Sequence, residues 1–594
     1  MSTSSISLPA LRRRAHPRLR ALTWPPPELA VLLVLAAALG LWSLGRNGYA
    51  NEYYSAAVRS MTQSWHAFLF GSFDPGGVMT VDKPPLALWV QALSVKLFGY
   101  SSWSMLVPQA LMGMGSVALV YDMTRRRFGR APGFGAGLAL ALTPTAVAIS
   151  RHNNPDALLV LCVTAAVWLL VRGLEDGRTR WLVLSGVCVG LGFEAKMGAA
   201  LMVVPAIAAA WLWVAPRGRV AALRQLGLSG AAMAVVGLAW PVLVWLTPAS
   251  QRPWVSGTSD NSIWSLIFGY NGLGRLVGQQ GAPGGGGRPG GSGGAFGGDP
   301  GVLRLLNESL GGQGGWLLGF AFVAGIGLVA MTRLRRDDPR TGWLIAIGGT
   351  FATTAVAFSQ ASGIFHPYYV SQLAPFTAAL VGAGIGVMLR GGLPARVVGP
   401  LAIAAGIVTE VIVLGNSPGQ LEWVAVLTIV VGGMAAVALA LGAGVVRRAR
   451  IAAVVAALAV LLTAPGAWAF QTLGHATSGT FPAGGPASAG FGGPGGRGFG
   501  GGGGPGGMAR PGLAPGMAPG GGFGQGGPQA GGIPQGGPGG GMFGGNTQSL
   551  RQALAYAKQH GGGTLAVSSQ SGAAGQLISS GSDVAAIGGF SGRE

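Results

Sequence analysis

The chain has only two cysteines in 594 residues, Cys162 and Cys188. Both fall inside apolar runs, which excludes a disulfide framework or a cysteine-rich metal centre and leaves them as small hydrophobic side chains. Charge is equally scarce: 10% of residues are charged, with 18 acids against 39 bases. No glycine-rich loop of the nucleotide-binding kind appears. The net charge of +21 does not describe a nucleic-acid partner either, because the arginines cluster at alternate ends of apolar runs.

Those runs are what the sequence has in abundance. Segments of roughly 18–22 apolar residues recur along the chain and read as membrane-spanning helices. The first, Leu29 to Leu44, lacks the small-residue cleavage site of a secretory signal and is expected to be retained. Placing the arginine clusters, such as Arg12 to Arg20, Arg125 to Arg130 and Arg447 to Arg450, on the cytoplasmic side gives about 13 spans. The expected architecture is an all-α polytopic membrane protein with a small α/β C-terminal segment. Its N-terminus is cytoplasmic and its C-terminus extracytoplasmic.

Four regions follow: a cytoplasmic tail over 1–27, a membrane domain over 28–470, a Gly/Pro-rich tether over 471–545, and a terminal segment over 546–594. A nearly all-glycine stretch, 281–298, interrupts one outer loop of the membrane domain and is expected to be disordered. The tether has no usable periodicity. The terminal segment alternates helix, strand, helix and strand (547–560, 563–568, 572–580 and 584–587). A unit that short buries too little surface to stand alone, so it either docks elsewhere or is incomplete.

Ionisable residues beside apolar spans need a reason to be there. On the side opposite the arginine clusters the sequence places Asn51-Glu52-Tyr53-Tyr54, Asp82-Lys83-Pro84-Pro85, Arg151-His152 with Asp156, Glu194-Ala195-Lys196, and His366-Pro367-Tyr368-Tyr369. A shared outward-facing cavity accounts for this one-sidedness. Lysine and arginine there suit a phosphate. Acids can take a proton or hold a divalent cation such as Mg or Mn, and Glu52 and Asp156 are the candidates for either. The plainer alternative is that Glu52, Asp82 and Asp156 cap helix ends or pair with nearby arginines.

Across residues 28–470 these motifs resemble the family 39 glycosyltransferases, the group of protein O-mannosyltransferases and the bacterial lipid A aminoarabinose transferase, in a bacterial mannosyltransferase branch. The family's acidic pair before tyrosine corresponds to Asn51-Glu52, so the first acid is an amide here. Its Lys-Pro-Pro corresponds to Lys83-Pro84-Pro85. Asp156, Lys196 and His366-Pro367-Tyr368-Tyr369 match the remaining motifs in order.

The resemblance implies a type C glycosyltransferase that moves a sugar, mannose or another hexose or pentose, from a polyprenyl-phosphate donor. The acceptor would be a cell-envelope lipid, glycan or protein at the outer face of a bacterial plasma membrane. Lys83, with Arg151 or Lys196, would hold the donor phosphate. Tyr53, Tyr54, Asp82, His152, His366, Tyr368 and Tyr369 would line the substrate pocket. An amide cannot act as a general base, so Glu52 and Asp156 are the catalytic candidates beside Asn51. Two other readings remain, a multi-helix transporter and an envelope scaffold that uses the glycine-rich tail. Deletion of residues 474–594 is expected to leave donor binding intact.

Overall fold

The computed structural model describes residues 26–274, 296–442, 447–477, 479–489 and 547–592. Helices dominate, and the strands Leu565–Val567 and Val584–Ala586 make one two-stranded parallel sheet. Among the described residues nine helices are long and apolar enough to cross a membrane, or ten if the pair Arg130–Ala141 and Pro144–Ser150, bent by 66°, is one span.

The gap from the expected 13 has identifiable sources. Helices Leu318–Thr332 and Ala374–Arg390 are apolar but shorter. The run Thr179–Val214 doubles back: Gly173 lies against both Trp181, near the run's start, and Trp211, near its end. The turn falls at Met197, whose φ of 44° ends helix Thr179–Lys196. A positive φ at a non-glycine residue is costly and persists only where packing over-determines it. Here Met197 is fully buried.

Helix ends sort into two sets. Helix Ser102–Phe128 starts with a reciprocal Ser101/Ser104 capping box and finishes on Arg125, Arg126 and Arg127, cations that suit the negative end of a helix dipole. Around that finish lie Glu28 bonded to Arg130 and Tyr121, Asp122 bonded to Arg126 and Trp168, and Trp343 donating to the Met123 carbonyl. This is the arginine end of the bundle. At the other end helix Asp156–Asp176 begins and helix Thr179–Lys196 stops.

The described start of the glycine-rich region, 474–477 and 479–489, is packed rather than a free tether. Gln313 exchanges hydrogen bonds with the Gly484 backbone at 2.8 and 3.0 Å, and the Gly485 N–H donates to Thr472 Oγ1 at 2.8 Å. Most of the tether, and of the 281–298 stretch, lies outside the described residues. Helices Thr547–Gln559 and Gln570–Ser580 join the two strands into the small C-terminal unit. Its buried face shares a hydrophobic cluster with helix Glu52–Gln63.

Candidate active site

Three segments meet at the end of the bundle opposite the arginines. Asn51 starts helix Glu52–Gln63, its Oδ1 accepting from Tyr53 N at 3.1 Å. Its Nδ2 donates to Asn154 Oδ1 at 3.1 Å, and its own N–H donates to Asn153 Oδ1 at 2.8 Å. Asn153 in turn donates to the Asn51 carbonyl at 3.0 Å and to Ser55 Oγ at 2.9 Å. Asn51 therefore works as a splice between the first loop and the 151–156 turn. The Asn51 amide satisfies the Asn154 oxygen in this network.

The second segment is the loop that presents Asp82 and Lys83. Its fold is set by Asp74, whose carboxylate accepts from Val78 N at 3.1 Å and Met79 N at 3.3 Å. Asp82 N donates to Tyr53 Oη at 2.9 Å, and Asn271 Nδ2 donates to the Asp82 carbonyl at 2.8 Å. Lys83 Nζ then reaches Asp82 Oδ2 at 2.7 Å with both side chains at most 10% exposed. Prolines 84 and 85 lead into helix Leu86–Phe98.

The third segment pairs Lys196, last residue of its helix, with Asp156, first residue of the next one back. Lys196 Nζ lies 2.7 Å from Asp156 Oδ1, with side-chain exposures of 9% and 3%. The ammonium also sits 3.7 Å from the centre of the Tyr369 ring, a cation–π contact strengthened by burial. Asp156 Oδ2 is buried without a hydrogen-bond partner. A buried orphan carboxylate oxygen is expensive unless a ligand completes it.

Lys83, Lys196 and Asp156 line one cavity of about 590 Å³, together with Asn271, Tyr369 and Gln372, and Asp82 holds Lys83 from behind. The rest of its wall is apolar and includes Phe193, Met202, Trp264, Phe268 and Phe358. Tyr54, buried, lies within electrostatic reach of Asp82, Asp156, Tyr53 and Tyr369. Burial and, after it, those neighbours push its hydroxyl well above the ordinary tyrosine pKa, so it stays a protonated donor. The arrangement offers two cations and an unsatisfied carboxylate oxygen at the rim of an apolar chamber.

Other expected residues are employed differently. Arg151 is fully buried, and its guanidinium donates to the carbonyls of Leu39 at 3.0 Å and Trp42 at 2.8 Å, closing the C-terminus of helix Pro27–Leu41. It does not line the cavity of Lys83 and Lys196. His152 Nε2 lies 3.1 Å from the Gly479 carbonyl, and its Nδ1 accepts from Asn154 N at 3.4 Å. Burial drives its pKa down to about 3, leaving a neutral structural ring. His366 stacks on Phe296 and Tyr368, tilts against Phe481 and meets Tyr369 edge-on, so this aromatic group packs against Tyr369. Glu194 accepts from Trp240 N at 3.1 Å, at the start of helix Ala239–Leu246.

Buried Asp156 is engaged by Lys196 through Oδ1, while Glu52 stands exposed, on the side of its helix that faces Gly575 of the C-terminal unit. Among the described residues no group of three or more His, Cys, Asp or Glu could hold a metal ion. Asn271 and Gln372 were not foreseen: each is a single amide beside an apolar or aromatic run, and only the fold brings them to the cavity.

Comparison with known proteins bears on this geometry. Residues 82–245, which carry both Lys–Asp pairs, match the family described as Dolichyl-phosphate-mannose-protein mannosyltransferase. The Bacillus subtilis protein named "Putative mannosyltransferase YkcB" is 33% identical over 558 residues, covering 78% of this chain and 76% of its own. A second B. subtilis protein of that description, YycA, is 34% identical over 446 residues, covering 61% and 64%. Among solved structures, ArnT from Cupriavidus metallidurans bound to undecaprenyl phosphate aligns over 74% of each chain at 20% identity with a TM-score of 0.46.

Proposed function

Because the chain belongs to the dolichyl-phosphate-mannose-protein mannosyltransferase family, we propose that it transfers mannose from a polyprenyl-phosphate donor to a cell-envelope acceptor at the extracytoplasmic face of the plasma membrane. The observation that carries this reading is that Lys83 and Lys196, each held by a buried aspartate, line an otherwise apolar cavity. A polyprenyl-phosphate sugar has that same division, an anionic phosphodiester head on a hydrocarbon chain, and the polyprenyl phosphate released from it gains a second negative charge. The family's description, which names a polyprenyl-phosphate-linked mannose, supports the same donor class.

Lys83 and Lys196 bind the donor phosphate. Each ammonium carries three donors. Lys196 Nζ donates to Asp156 Oδ1, which leaves further ammonium hydrogens for phosphate oxygens. In the reaction an acceptor oxygen attacks the anomeric carbon from the face opposite the phosphate. The bond from that carbon to the phosphate oxygen breaks, and the electron pair leaves on the polyprenyl phosphate. The lysines stabilise the charge that grows there. Asp156 Oδ2 takes the acceptor proton. Tyr54 and Tyr369 shape the sugar's place between the two pairs.

The test is sugar transfer from radiolabelled polyprenyl-phosphate-mannose by the purified protein in detergent, with an extract of envelope acceptors. Wild type should consume donor, and Lys83→Ala should lose about 100-fold, the loss of charge-assisted hydrogen bonds to the leaving group. Wild type that consumes none of several polyprenyl-phosphate sugars would overturn the proposal.

A further inference from the structure

The C-terminal unit reaches the cavity residues through two routes. Its helix Gln570–Ser580 buries Ala573, Ala574, Leu577 and Ile578 in one cluster with Tyr53, Ala56, Ala57 and Met61. From its last turn, Phe590 sets its ring edge against Tyr53 at 5.0 Å and 90°. Tyr53 is held on another side by Phe73, stacked at 5.4 Å. The hydroxyl of that tyrosine accepts from Asp82 N at 2.9 Å and lies 3.5 Å from Asp82 Oδ1, and Asp82 holds Lys83 at 2.7 Å.

Gln570 gives the second route. It is fully buried, donates to the Thr80 carbonyl at 2.9 Å and accepts from Ser256 Oγ at 3.4 Å. Thr80 stands two residues before Asp82 and also receives the Ser256 N–H on its hydroxyl at 3.1 Å. A buried amide tolerates only the docking in which both of its ends are satisfied. A purely apolar anchor would lack that register. The unit's two short strands also bury too little to be stable undocked.

We infer that the C-terminal unit is a positioning element of the transferase centre: Phe590 steadies Tyr53, and Gln570 steadies the 80–83 loop, so that Lys83 meets the donor phosphate in one geometry. This rests on the transferase reading above. It also reverses the expectation that the tail is dispensable for donor binding.

A double-mutant cycle in the full-length chain decides it. Donor turnover and equilibrium binding of undecaprenyl phosphate are measured for wild type, Phe590→Ala, Tyr53→Phe and the double variant. Phe590→Ala should weaken both about tenfold, while adding it to Tyr53→Phe should change little, because the hydroxyl link to Asp82 is already gone. Phe590→Tyr, which keeps the ring, should stay within twofold of wild type. An equal tenfold loss in both backgrounds would reduce Phe590 to a packing residue and overturn the inference, as would wild-type values for Phe590→Ala. Wild type without turnover would instead refute the transferase reading.

Discussion

The two ends of the helical bundle handle charge in opposite ways. At the arginine end, carboxylates meet guanidinium groups in partly solvated pairs: Arg126 with Asp122 at 25% and 17% exposure, Arg335 with Asp337 at 70% and 75%. At the other end, Arg46, Arg151, Arg252 and Arg304 donate to backbone carbonyls, and the buried carboxylates Asp82 and Asp156 meet lysines. The chain has four lysines, Lys83, Lys96, Lys196 and Lys558, and two of them are in these pairs. Solvated arginine pairs fix topology at little energetic consequence. Desolvated lysine pairs are costly to maintain, and their retention marks a place where a ligand's charge completes the balance.

If the difference is functional, the largest effect should come from the unsatisfied oxygen at the lysine end. Asp156→Asn is expected to lower donor turnover about 1,000-fold, within the range of a lost general base, while undecaprenyl phosphate binding is largely kept. Parallel loss of both would make Asp156 a binding residue and weaken its chemical role. Stability should separate the two ends next. Lys196→Met strands a buried carboxylate and should cost about 3–5 kcal/mol in reversible unfolding. Asp337→Asn at the arginine end should stay within about 1 kcal/mol. Similar costs at both ends would erase the comparison.

A smaller effect concerns His152, which braces the lysine end against the 479 backbone. Its folded pKa of about 3 lies below the free value of 6.5, so between those values the unfolded chain binds a proton that the folded chain does not. The stability it contributes is complete above pH 6.5 and is lost toward pH 3, by up to about 1.4 kcal/mol per pH unit. Thermal unfolding across this window should show the advantage of wild type over His152→Gln shrinking as pH falls. A constant difference would mean the ring is charged in the fold. The smallest effect is expected for Glu52→Gln, less than twofold on turnover, because Glu52 is exposed and turned toward the C-terminal unit.

Much of this contrast is legible in the sequence. Arginine clusters at alternate run ends and the one-sided placement of Lys83, Asp156 and Lys196 follow from hydropathy and charge patterning alone. So do the helix–strand–helix–strand elements of the C-terminal unit, whose periodicity changes are local. What local pattern cannot carry is direction. Arg151 and Asp156 share one turn, yet one side chain closes the end of the first helix and the other lines the cavity. Glu52 and Tyr53 are neighbours, yet helical geometry sends one to the surface and the other to Asp82. The reach of Gln570 to Thr80, across nearly the whole chain, has no signature in either segment.

The most direct test is equilibrium binding of radiolabelled undecaprenyl phosphate to wild type, Lys83→Ala and Arg125→Ala in the same detergent. Lys83→Ala should bind at least about tenfold more weakly, the loss of a charge-assisted contact, whereas Arg125→Ala at the far end should match wild type. Equal affinity for all three would contradict the assignment of the buried lysine end as the lipid-phosphate site.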